Sequence, residues 1–391
     1  MRLVSDNSPS ELRRDWALLS AATFMFAFGF AVYGGVFINF ITEVLRVRPV
    51  QMGTMESLRE VPGLLAVFIA GAVAAYSETR IGAVCLLLSA LGVAATGFVH
   101  SFPMLVVVTV FWSVFMHQWF TSSSGIPLAL SQGEDGGRHL GRMGAIGAAG
   151  TMLAFLLLRP LAGHVPYPVY FVVAALFILA GGVLLLPMSA RGTTLNRPRL
   201  LFRREYGLYY SLSFLEGCRR QIFSTFAIFA LVQHYKTPLA QISTLMLLNA
   251  IVSFAVAGPI GRLIDRVGER RTMTFYYFAI ALAFAGYALT TDVSVLKGLY
   301  IIDNVLFSFG VSITTYLNKV VRPGEMMPSL AMGQTMNHVA AVVIPITGSL
   351  LWNTFGYHAP FWTGVTAAFA SLLLTQGVGR LHRPRPAASS A

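Results

Sequence analysis

Charged residues are scarce in this chain. Only 11% of its 391 residues are Asp, Glu, Lys or Arg, against roughly 25% in a soluble globular domain, and 55% are hydrophobic. This deficit excludes an arrangement of two or three soluble domains, which the length alone would allow. Apolar runs of about twenty residues or more recur along the chain, each long enough to cross the ~30 Å hydrocarbon core of a bilayer as a helix. The composition predicts an all-α integral membrane protein.

Cysteines are also few, and Cys85 and Cys218 both fall in apolar segments, so no disulfide framework is indicated. No glycine-rich Walker loop is present, so nothing points to ATP hydrolysis, and no nucleophile or metal-ligand motif points to an enzyme. We expect no cofactor. The first apolar run is too long for a signal-peptide core and precedes no small-residue cleavage site, which favours an uncleaved first membrane helix.

Turn and charge signals divide the apolar sequence into twelve predicted spans. The first six cover about 16–42, 51–76, 82–100, 103–130, 142–163 and 167–188. The second six cover about 207–234, 240–263, 271–290, 297–318, 328–352 and 359–378. These spans predict an N-terminal six-helix half over residues 1–188, a cytoplasmic linker over 189–206, a C-terminal half over 207–380 and a tail at 381–391.

Lys and Arg predict the orientation of the spans. Of the 28 Lys and Arg residues, twenty lie in or next to the loops on the side of the N-terminus. The loops on the opposite side hold only Arg46, Arg48, Lys236 and Lys297. By the positive-inside rule both termini are cytoplasmic, and the net charge of +12 then reflects topology and contact with anionic lipid rather than nucleic acid. We expect a monomer in a bacterial inner membrane.

A glycine- and arginine-rich motif, GRLIDRVGERRTM, follows span 8. Gly261 would let two helices approach closely, Gly268 permits a tight turn, and Asp265 is placed to pair with an arginine or a helix N-terminus. This motif resembles the cytoplasmic loop motif G-x-L-x-D-R-x-G-R-[RK] of the major facilitator superfamily, where it latches one conformational state. The resemblance assigns that latch role to Gly261, Asp265, Arg266, Gly268, Arg270 and Arg271.

A weaker copy of the motif follows span 2. Thr79-Arg80-Ile81-Gly82 aligns with residues 265–268 at an offset of 186 residues, although the acid is displaced to Glu78. Arg80 is the latch residue carried over from this copy. The same offset pairs His117 with Asp303, which predicts two related halves, as in a facilitator fold with parallel repeats.

The resemblance implies a secondary transporter that works by rocking alternating access. In that fold helices 1, 4, 7 and 10 line a central cavity, helices 2, 5, 8 and 11 flank it, and helices 3, 6, 9 and 12 face lipid. Predicted spans 3, 6, 9 and 12 hold no Asp, Glu, Lys, Arg or His in their apolar cores, which agrees with this assignment.

Ionisable groups at membrane depth are unfavourable by at least ~2.5 kcal/mol each, so they usually face a cavity or a partner. Three spans carry polar residues at i, i+3 and i+4 spacing, which places them on one helical face. The candidate proton-coupling or gating residues are Glu56, Arg59, Glu60, Glu216 and Asp303. The candidate substrate-binding residues are Arg219, Arg220, His117, Gln118, Asn337, His338, Asn39 and Asn304.

Several of these residues have alternative interpretations. Glu56 and Arg59 are either a structural ion pair or a gate, whereas Glu60 is a candidate proton carrier. Arg219 and Arg220 differ by about 100° around the helix, so we expect one to pair with Glu216 or Asp303 and the other to meet substrate. The two histidines are either hydrogen-bonded core residues or groups that couple protons or bind substrate.

The leading functional hypothesis is a carrier for a small polar organic solute, since arginines at depth favour an anionic group and the carboxylates favour proton coupling. One alternative is a divalent metal transporter of the same fold, with Cys218, His338 and Asp303 as ligands. Another is a drug or metabolite exporter, although a G-x-x-x-G-P-x-x-G-G motif is missing from span 5. A non-transporting receptor and a membrane enzyme lack supporting features.

Overall fold

The computed structural model describes residues 9–73, 76–131, 135–189, 201–322 and 325–378. Regular secondary structure in these ranges is entirely helical, and each predicted span corresponds to one helix, labelled here α1 to α12. The first six are α1 Pro9–Glu43, α2 Pro49–Leu64 with Ala66–Val73, α3 Glu78–Thr96, α4 Phe102–Leu130, α5 Gly136–Leu161 and α6 Tyr167–Leu185. The second six are α7 Gly207–Phe229, α8 Leu239–Val267, α9 Glu269–Leu289, α10 Val293–Phe307 with Val311–Val320, α11 Met326–Phe355 and α12 Ala359–Thr375.

Nine helices of the described chain are long and apolar enough to cross a membrane. The exceptions are α2, α7 and α12, and each has a physical reason. Helix α12 is apolar but only 17 residues long. Helix α7 holds three charges within five residues, at Glu216, Arg219 and Arg220. Helix α2 is broken at Leu65, three residues after Pro62, whose ring cannot donate a backbone hydrogen bond.

Two further helices deviate from regular α geometry. Helix α10 is interrupted by a 3₁₀ turn at Ser308–Gly310, and α7 ends in a π-helical turn at Ala230–His234. Such local deviations inside membrane helices free backbone groups and bend the chain, and they often occur at functional sites. Both deviations belong to helices for which a cavity-lining position was predicted.

The described residues divide into two compact units. The first takes the described residues of Met1–Gln51, Leu58–Arg197 and Tyr235–Ile251, and the second takes those of Met52–Ser57, Pro198–His234 and Val252–Ala391. The predicted division at residues 188 and 207 therefore stays a prediction. Within the predicted linker, residues 190–200 lie outside the described residues, as does the predicted tail at 381–391.

The two units repeat the same helix pairings. In the first unit α1 packs on α5 and α6, and α3 packs on α4 and α6. In the second unit α7 packs on α11 and α12, and α9 packs on α10 and α12. Every pairing recurs six helices later, which agrees with the two related halves predicted from the repeated motif.

A polar cluster joins the residues before α7 to the α10–α11 loop, and we refer to Arg203, Glu205, Tyr206, Arg322 and Glu325 as the loop clasp. The Arg203 guanidinium and the Tyr206 hydroxyl donate to the two carboxylate oxygens of Glu325 at 2.5 and 2.6 Å. The Arg322 guanidinium donates to Glu205 at 2.8 Å, and its backbone N–H donates to the Tyr206 hydroxyl at 3.1 Å. These bonds fix the entry of the chain into α7.

The loop clasp predicts a dependence of stability on acid pH. The hydrogen bonds from Tyr206 and Arg203 hold the pKa of Glu325 below its ordinary value of 4.5. A depressed folded-state pKa stabilises the protein above the unfolded value, and that contribution disappears as the pH falls through the folded value. We therefore expect thermal stability to fall less steeply below pH 4.5 in Glu325→Gln than in the wild type, as measured by melting in detergent. Parallel acid melting curves for the two proteins would contradict this assignment.

Candidate functional site

Arg219 lies at the centre of a buried ionic cluster in the second unit. Its side chain is 2% exposed. Its Nε and Nη2 donate to Oε1 of Glu216 at 3.1 and 2.9 Å, and its Nη1 donates to Oδ2 of Asp303 at 3.1 Å. The planar guanidinium thus bridges a carboxylate on its own helix, three residues away, and a carboxylate on α10. The structure thus brings Asp303, 84 residues away in the sequence, to the i, i+3 pair of Glu216 and Arg219.

Tyr276 completes the cluster from α9. Its hydroxyl lies 2.8 and 2.9 Å from the two carboxylate oxygens of Glu216, to which it donates. The Arg219 guanidinium lies 5.1 Å from the centre of the Phe307 ring and 5.9 Å from that of Tyr276, a distance range in which cations and aromatic rings attract. We refer to Glu216, Arg219, Asp303 and Tyr276 as the carboxylate cluster. Sequence reasoning missed Tyr276, because a tyrosine in an apolar helix that is expected to face lipid gives no signal of its own.

The carboxylate cluster holds one more acidic group than basic groups. Oδ1 of Asp303 is buried and has no hydrogen-bond partner among the described residues. With both acids ionised the cluster carries one uncompensated negative charge in a water-poor site, which is strongly unfavourable. A single proton bound by either carboxylate removes that charge. The arrangement is therefore chemically suited to take up and release a proton.

The backbone around the carboxylate cluster explains how these side chains meet. The 3₁₀ turn of α10 ends at Gly310, where a Cβ would lie 3.6 Å from Oε1 of Glu216. On the other face of α7, a Cβ on Gly217 would lie only 2.7 Å from the backbone oxygen of Asn337. Small residues on helix faces permit such close approach within a membrane. Helix α7 is thus held against α11 on one side, while Glu216 and Arg219 face α9 and α10.

Arg220 differs from its neighbour in lacking an acidic partner. It is half-buried, forms no ion pair within the described ranges, and its Nε is buried without a hydrogen bond. The sequence predicted that one of the two arginines pairs with Glu216 or Asp303, and the structure assigns that role to Arg219. Arg220 retains unfulfilled hydrogen-bond donors, which suit an anionic group.

Glu60 and His117 lie close together in the first unit. Oε2 of Glu60 is 3.8 Å from Nε2 of His117, and both side chains are largely buried. Nδ1 of His117 is 2.9 Å from the Ser113 carbonyl oxygen, which can only accept, so this geometry favours a proton on Nδ1. Nε2 is then the atom that faces Glu60 and can gain a proton. The two candidates form a second site at which a proton can be shared.

Gln118 has a structural partner. Its Nε2 donates to the Ala66 carbonyl at 3.2 Å, beside the break in α2, and Ser113 donates to the Arg59 carbonyl at 2.6 Å. Helix α4 thus supplies hydrogen bonds to the interrupted helix α2. Arg59 is half-buried, with its guanidinium 5.8 Å from the centre of the Trp112 ring, and Glu56 is buried at 3% exposure.

Asn39 lies at the end of α1 in a second polar network of the first unit. Its Nδ2 donates to Oε1 of Glu43 at 2.8 Å and to the Thr237 carbonyl at 3.3 Å, just before α8. The Tyr167 hydroxyl at the start of α6 donates to Oε2 of Glu43 at 2.6 Å. Asn39 therefore ties the ends of three helices together and is fully buried. This placement gives it a structural role in addition to the predicted substrate contact.

The remaining substrate candidates lie on α10 and α11. Nδ2 of Asn304 donates to the Tyr300 carbonyl of its own helix at 2.8 Å. Asn337 makes one long contact, 3.5 Å from its Nδ2 to the Ser213 carbonyl, and its Oδ1 is buried without a hydrogen bond. His338 is half-buried one residue further along α11. The side-chain oxygen of Asn337 is thus available to accept a hydrogen bond. The side-chain amide of Asn304 already donates to its own helix.

The motif after span 8 is only partly as expected. Gly268 has φ +85°, a conformation that glycine adopts without strain, so its predicted role in a tight turn is confirmed. A Cβ on Gly261 would meet nothing within 4 Å among the described residues, so the close helix approach expected there stays a prediction. Asp265 is exposed and pairs with no arginine in these ranges. Arg266, Arg270 and Arg271 are also exposed.

In the weaker copy of the motif, after span 2, the acidic residue Glu78 contacts a neighbouring helix. The Glu78 carboxylate lies against the backbone of Gly125 on α4, where a Cβ would collide with it, and its Oε2 is buried without a hydrogen bond. Arg80 is exposed in the first turn of α3. The displacement of the acid by one position, visible in the sequence, thus turns this carboxylate toward α4.

Two of the three residues considered as metal ligands, Asp303 and Cys218, are poorly placed to bind a metal ion. Asp303 is engaged by the Arg219 guanidinium, which would repel a cation. Cys218 is a buried free thiol and belongs to no group of three potential metal ligands in the described part of the chain. These two residues therefore do not come together as a metal site.

Comparison with known proteins identifies the family. The family model described as Major Facilitator Superfamily matches residues 19–326 and, in a second match, residues 209–391. The chain belongs to the Major Facilitator Superfamily and is an integral membrane protein of the transporter fold. A comparison with curated protein sequences found no match.

Solved structures of transporters share this fold. A mutant form of the nucleoside transporter NupG superposes with a TM-score of 0.80 at 14% identity, covering 93% of this chain and 100% of that chain. A bacterial homologue of the human lysosomal transporter Spinster, inward-facing and occupied, gives 0.71 at 13% identity, covering 96% and 98%. The inward-open xylose transporter XylE from E. coli gives 0.69 at 12% identity, covering 92% and 95%. Alternating access is typical of this fold, and identities this low show the fold alone.

Proposed function

We propose that this protein is a proton-coupled secondary transporter that moves a small polar organic solute carrying an anionic group. The observation that carries this proposal is the carboxylate cluster, in which two acids share one guanidinium and Asp303 keeps a buried oxygen without a donor. We further propose, from the distribution of Lys and Arg, that both termini are cytoplasmic. A monomer in a bacterial inner membrane is part of the same proposal.

The charge balance of the cluster supports proton coupling. Protonation of Asp303 or Glu216 leaves a neutral assembly of one guanidinium, one carboxylate and one carboxylic acid, which burial tolerates. Loss of the proton leaves a net negative charge, which favours an arrangement in which water or a cation reaches the acids. The protonation state thereby biases the conformations between which an alternating-access transporter moves.

Arg220 supports an anionic solute. Its guanidinium has donors left over after folding, and a carboxylate or phosphate accepts two of them at once. Arg219, by contrast, is occupied by Glu216 and Asp303 and is not available to substrate in this structure. The substrate contact predicted for at least one of the two arginines is therefore proposed for Arg220.

The alternative functions receive less support. Arg219 beside Asp303 and Cys218 disfavours a divalent metal as the transported species. A nucleoside transporter and a xylose transporter share the fold at 14% and 12% identity, which fixes no solute for this chain. An exporter of drugs or metabolites differs from the proposal in direction and substrate, and the G-x-x-x-G-P-x-x-G-G motif of drug exporters is missing from span 5.

Asp303→Asn is expected to uncouple solute movement from protons. Proteoliposomes containing a pH-sensitive dye are exposed to a panel of small organic anions, and the internal pH change is recorded for each transported solute. The wild type should show an internal pH change when solute moves. In the variant this pH change should be at least about tenfold smaller, because the amide of asparagine binds no proton. Exchange of labelled solute across the membrane, which needs no net proton movement, should persist.

The matched control is Asp292→Asn, an Asp at the exposed start of the same helix. There Asp292 caps the backbone N–H of Ser294 at 2.7 Å, a role that asparagine fills equally well. It should keep the wild-type proton signal. Proton movement that is absent in the wild type for every transported anion, or unchanged in Asp303→Asn, would refute the coupling proposal.

A further inference from the structure

A cavity of about 500 Å³ lies where α9 begins and α12 ends, outside the carboxylate cluster. It combines two arginines and two smaller polar groups with two aromatic rings. The lining residues are Arg270, Arg271, Thr274, Phe275, Phe278 and Gln376. Helices α9 and α12 are two of the four helices for which a lipid-facing position was predicted, so we expect this cavity to open toward bilayer lipid.

The two arginines of this cavity carry uncompensated charge. Neither Arg270 nor Arg271 forms an ion pair within the described residues. Two other basic groups at this end of the second unit are neutralised, since Lys319 contacts Glu269 at 2.7 Å and Arg322 contacts Glu205 at 2.8 Å. Two adjacent cationic groups without a carboxylate suit a ligand that brings its own negative charge.

Polar contacts hold one arginine in place. Nη2 of Arg270 donates to Oε1 of Gln376 at 3.2 Å, and Nε2 of Gln376 donates in turn to the Thr274 hydroxyl oxygen at 3.2 Å. Gln376 also donates to the Leu372 carbonyl at 3.1 Å, which ties it to α12. Gln376 is thus a positioning residue that spans α9 and α12 and leaves the other donors of the guanidinium free.

An exposed apolar stripe leads away from the arginines along α9. Phe275, Phe278 and Leu282 are 55%, 54% and 58% exposed, and Leu289 continues the same side at 70%. Their spacing of three and four residues places Phe275, Phe278 and Leu282 on one helical face. A free phosphate ion would gain nothing from this stripe, whereas a phospholipid would place its acyl chains along it.

We propose that this cavity binds the phosphate of an anionic phospholipid, with Arg270 and Arg271 donating to the phosphate oxygens. The acyl chains lie along Phe275, Phe278 and Leu282. The ligand chemistry is a phosphodiester, and the exposed stripe argues for a lipid rather than a soluble phosphate. By the predicted orientation, the site faces the cytoplasmic leaflet, where anionic lipids attract basic residues.

The experiment measures lipid binding to the purified full-length protein by native mass spectrometry and by thermal stability in detergent. The probes are phosphatidylglycerol, phosphatidylcholine and inorganic phosphate. Phosphatidylglycerol should bind and raise the melting temperature, and Arg270→Gln with Arg271→Gln should weaken its binding about tenfold or more. Arg138→Gln with Arg142→Gln, which makes the same change in charge at the start of α5, should leave phosphatidylglycerol binding unchanged.

Three results would overturn the proposal. The first is wild-type affinity for phosphatidylglycerol in the Arg270/Arg271 double variant. The second is equal binding of phosphatidylcholine, which would show that charge plays no part. The third is stabilisation by inorganic phosphate alone that the double variant abolishes, which would identify a soluble anion as the ligand. A Gln376→Leu variant, which keeps both charges, should bind phosphatidylglycerol less tightly than the wild type because Arg270 is no longer positioned.

Discussion

Replacing Arg219 with leucine is expected to destabilise the protein by about 3–5 kcal/mol and to abolish transport. The substitution removes three hydrogen bonds and leaves two buried carboxylates facing each other without a cation. Uncompensated buried charge is among the most destabilising changes that a single substitution makes. Protonation of both acids would relieve part of the loss, so the defect should be largest at high pH. Melting in detergent at several pH values measures this effect.

Arg220→Leu is the matched control, with the same change in chemistry one residue away. No carboxylate pairs with Arg220 in the described structure, so this variant should melt near the wild-type temperature. Transport of the anionic solute should nevertheless be lost. The pair therefore separates folding from substrate binding. Equal stability of the two variants would show that the carboxylate cluster does not hold α7 and α10 together.

Gly217→Leu should destabilise the second unit by about 3 kcal/mol. A Cβ at this position would lie 2.7 Å from the backbone oxygen of Asn337 and 2.9 Å from Cβ of Ala340. A backbone atom cannot turn aside as a flexible side chain does, so α7 and α11 would have to separate. Because the neighbouring Glu216 is part of the carboxylate cluster, displacement of α7 should also impair proton-coupled transport.

The matched control for this variant is Gly207→Leu, at the start of the same helix. A Cβ on Gly207 meets nothing within 4 Å in the described ranges, so the larger side chain has room. Melting temperature and the elution profile on size exclusion report the difference. Gly217→Ala should fall between the wild type and the leucine variant. A Gly217→Leu variant with the melting temperature of the wild type would mean that α7 and α11 approach each other less closely than the structure shows.

The twelve helices were predictable because their signal is local and repeated. A run of about twenty apolar residues has few alternatives to a membrane helix, and charged residues and glycines mark its ends. All twelve predicted spans correspond to helices, and the family inferred from the motif after span 8 is confirmed. The interruption of α10 at Ser308–Gly310 was not predicted, because no proline marks it and a single glycine is common inside membrane helices.

The candidate site was predictable in its residues but only partly in its contacts. The i, i+3 spacing of Glu216 and Arg219 indicated an ion pair on one helix, and the structure contains it. The second acid, Asp303, is 84 residues away, and only the packing of α7 with α10 makes it a partner. Tyr276 was missed because a tyrosine in an apolar helix gives no signal of its own.

The sequence by itself determined that this protein spans a membrane with twelve helices of the facilitator type, because hydrophobic length and loop motifs are local properties. Only the tertiary structure decided which arginine is neutralised. Arg219 and Arg220 are chemically identical and adjacent, and they differ only in the direction in which α7 presents them. That direction matters because a buried charge is stable only where a partner lies within hydrogen-bonding distance, and Arg219 alone meets Glu216 and Asp303 there.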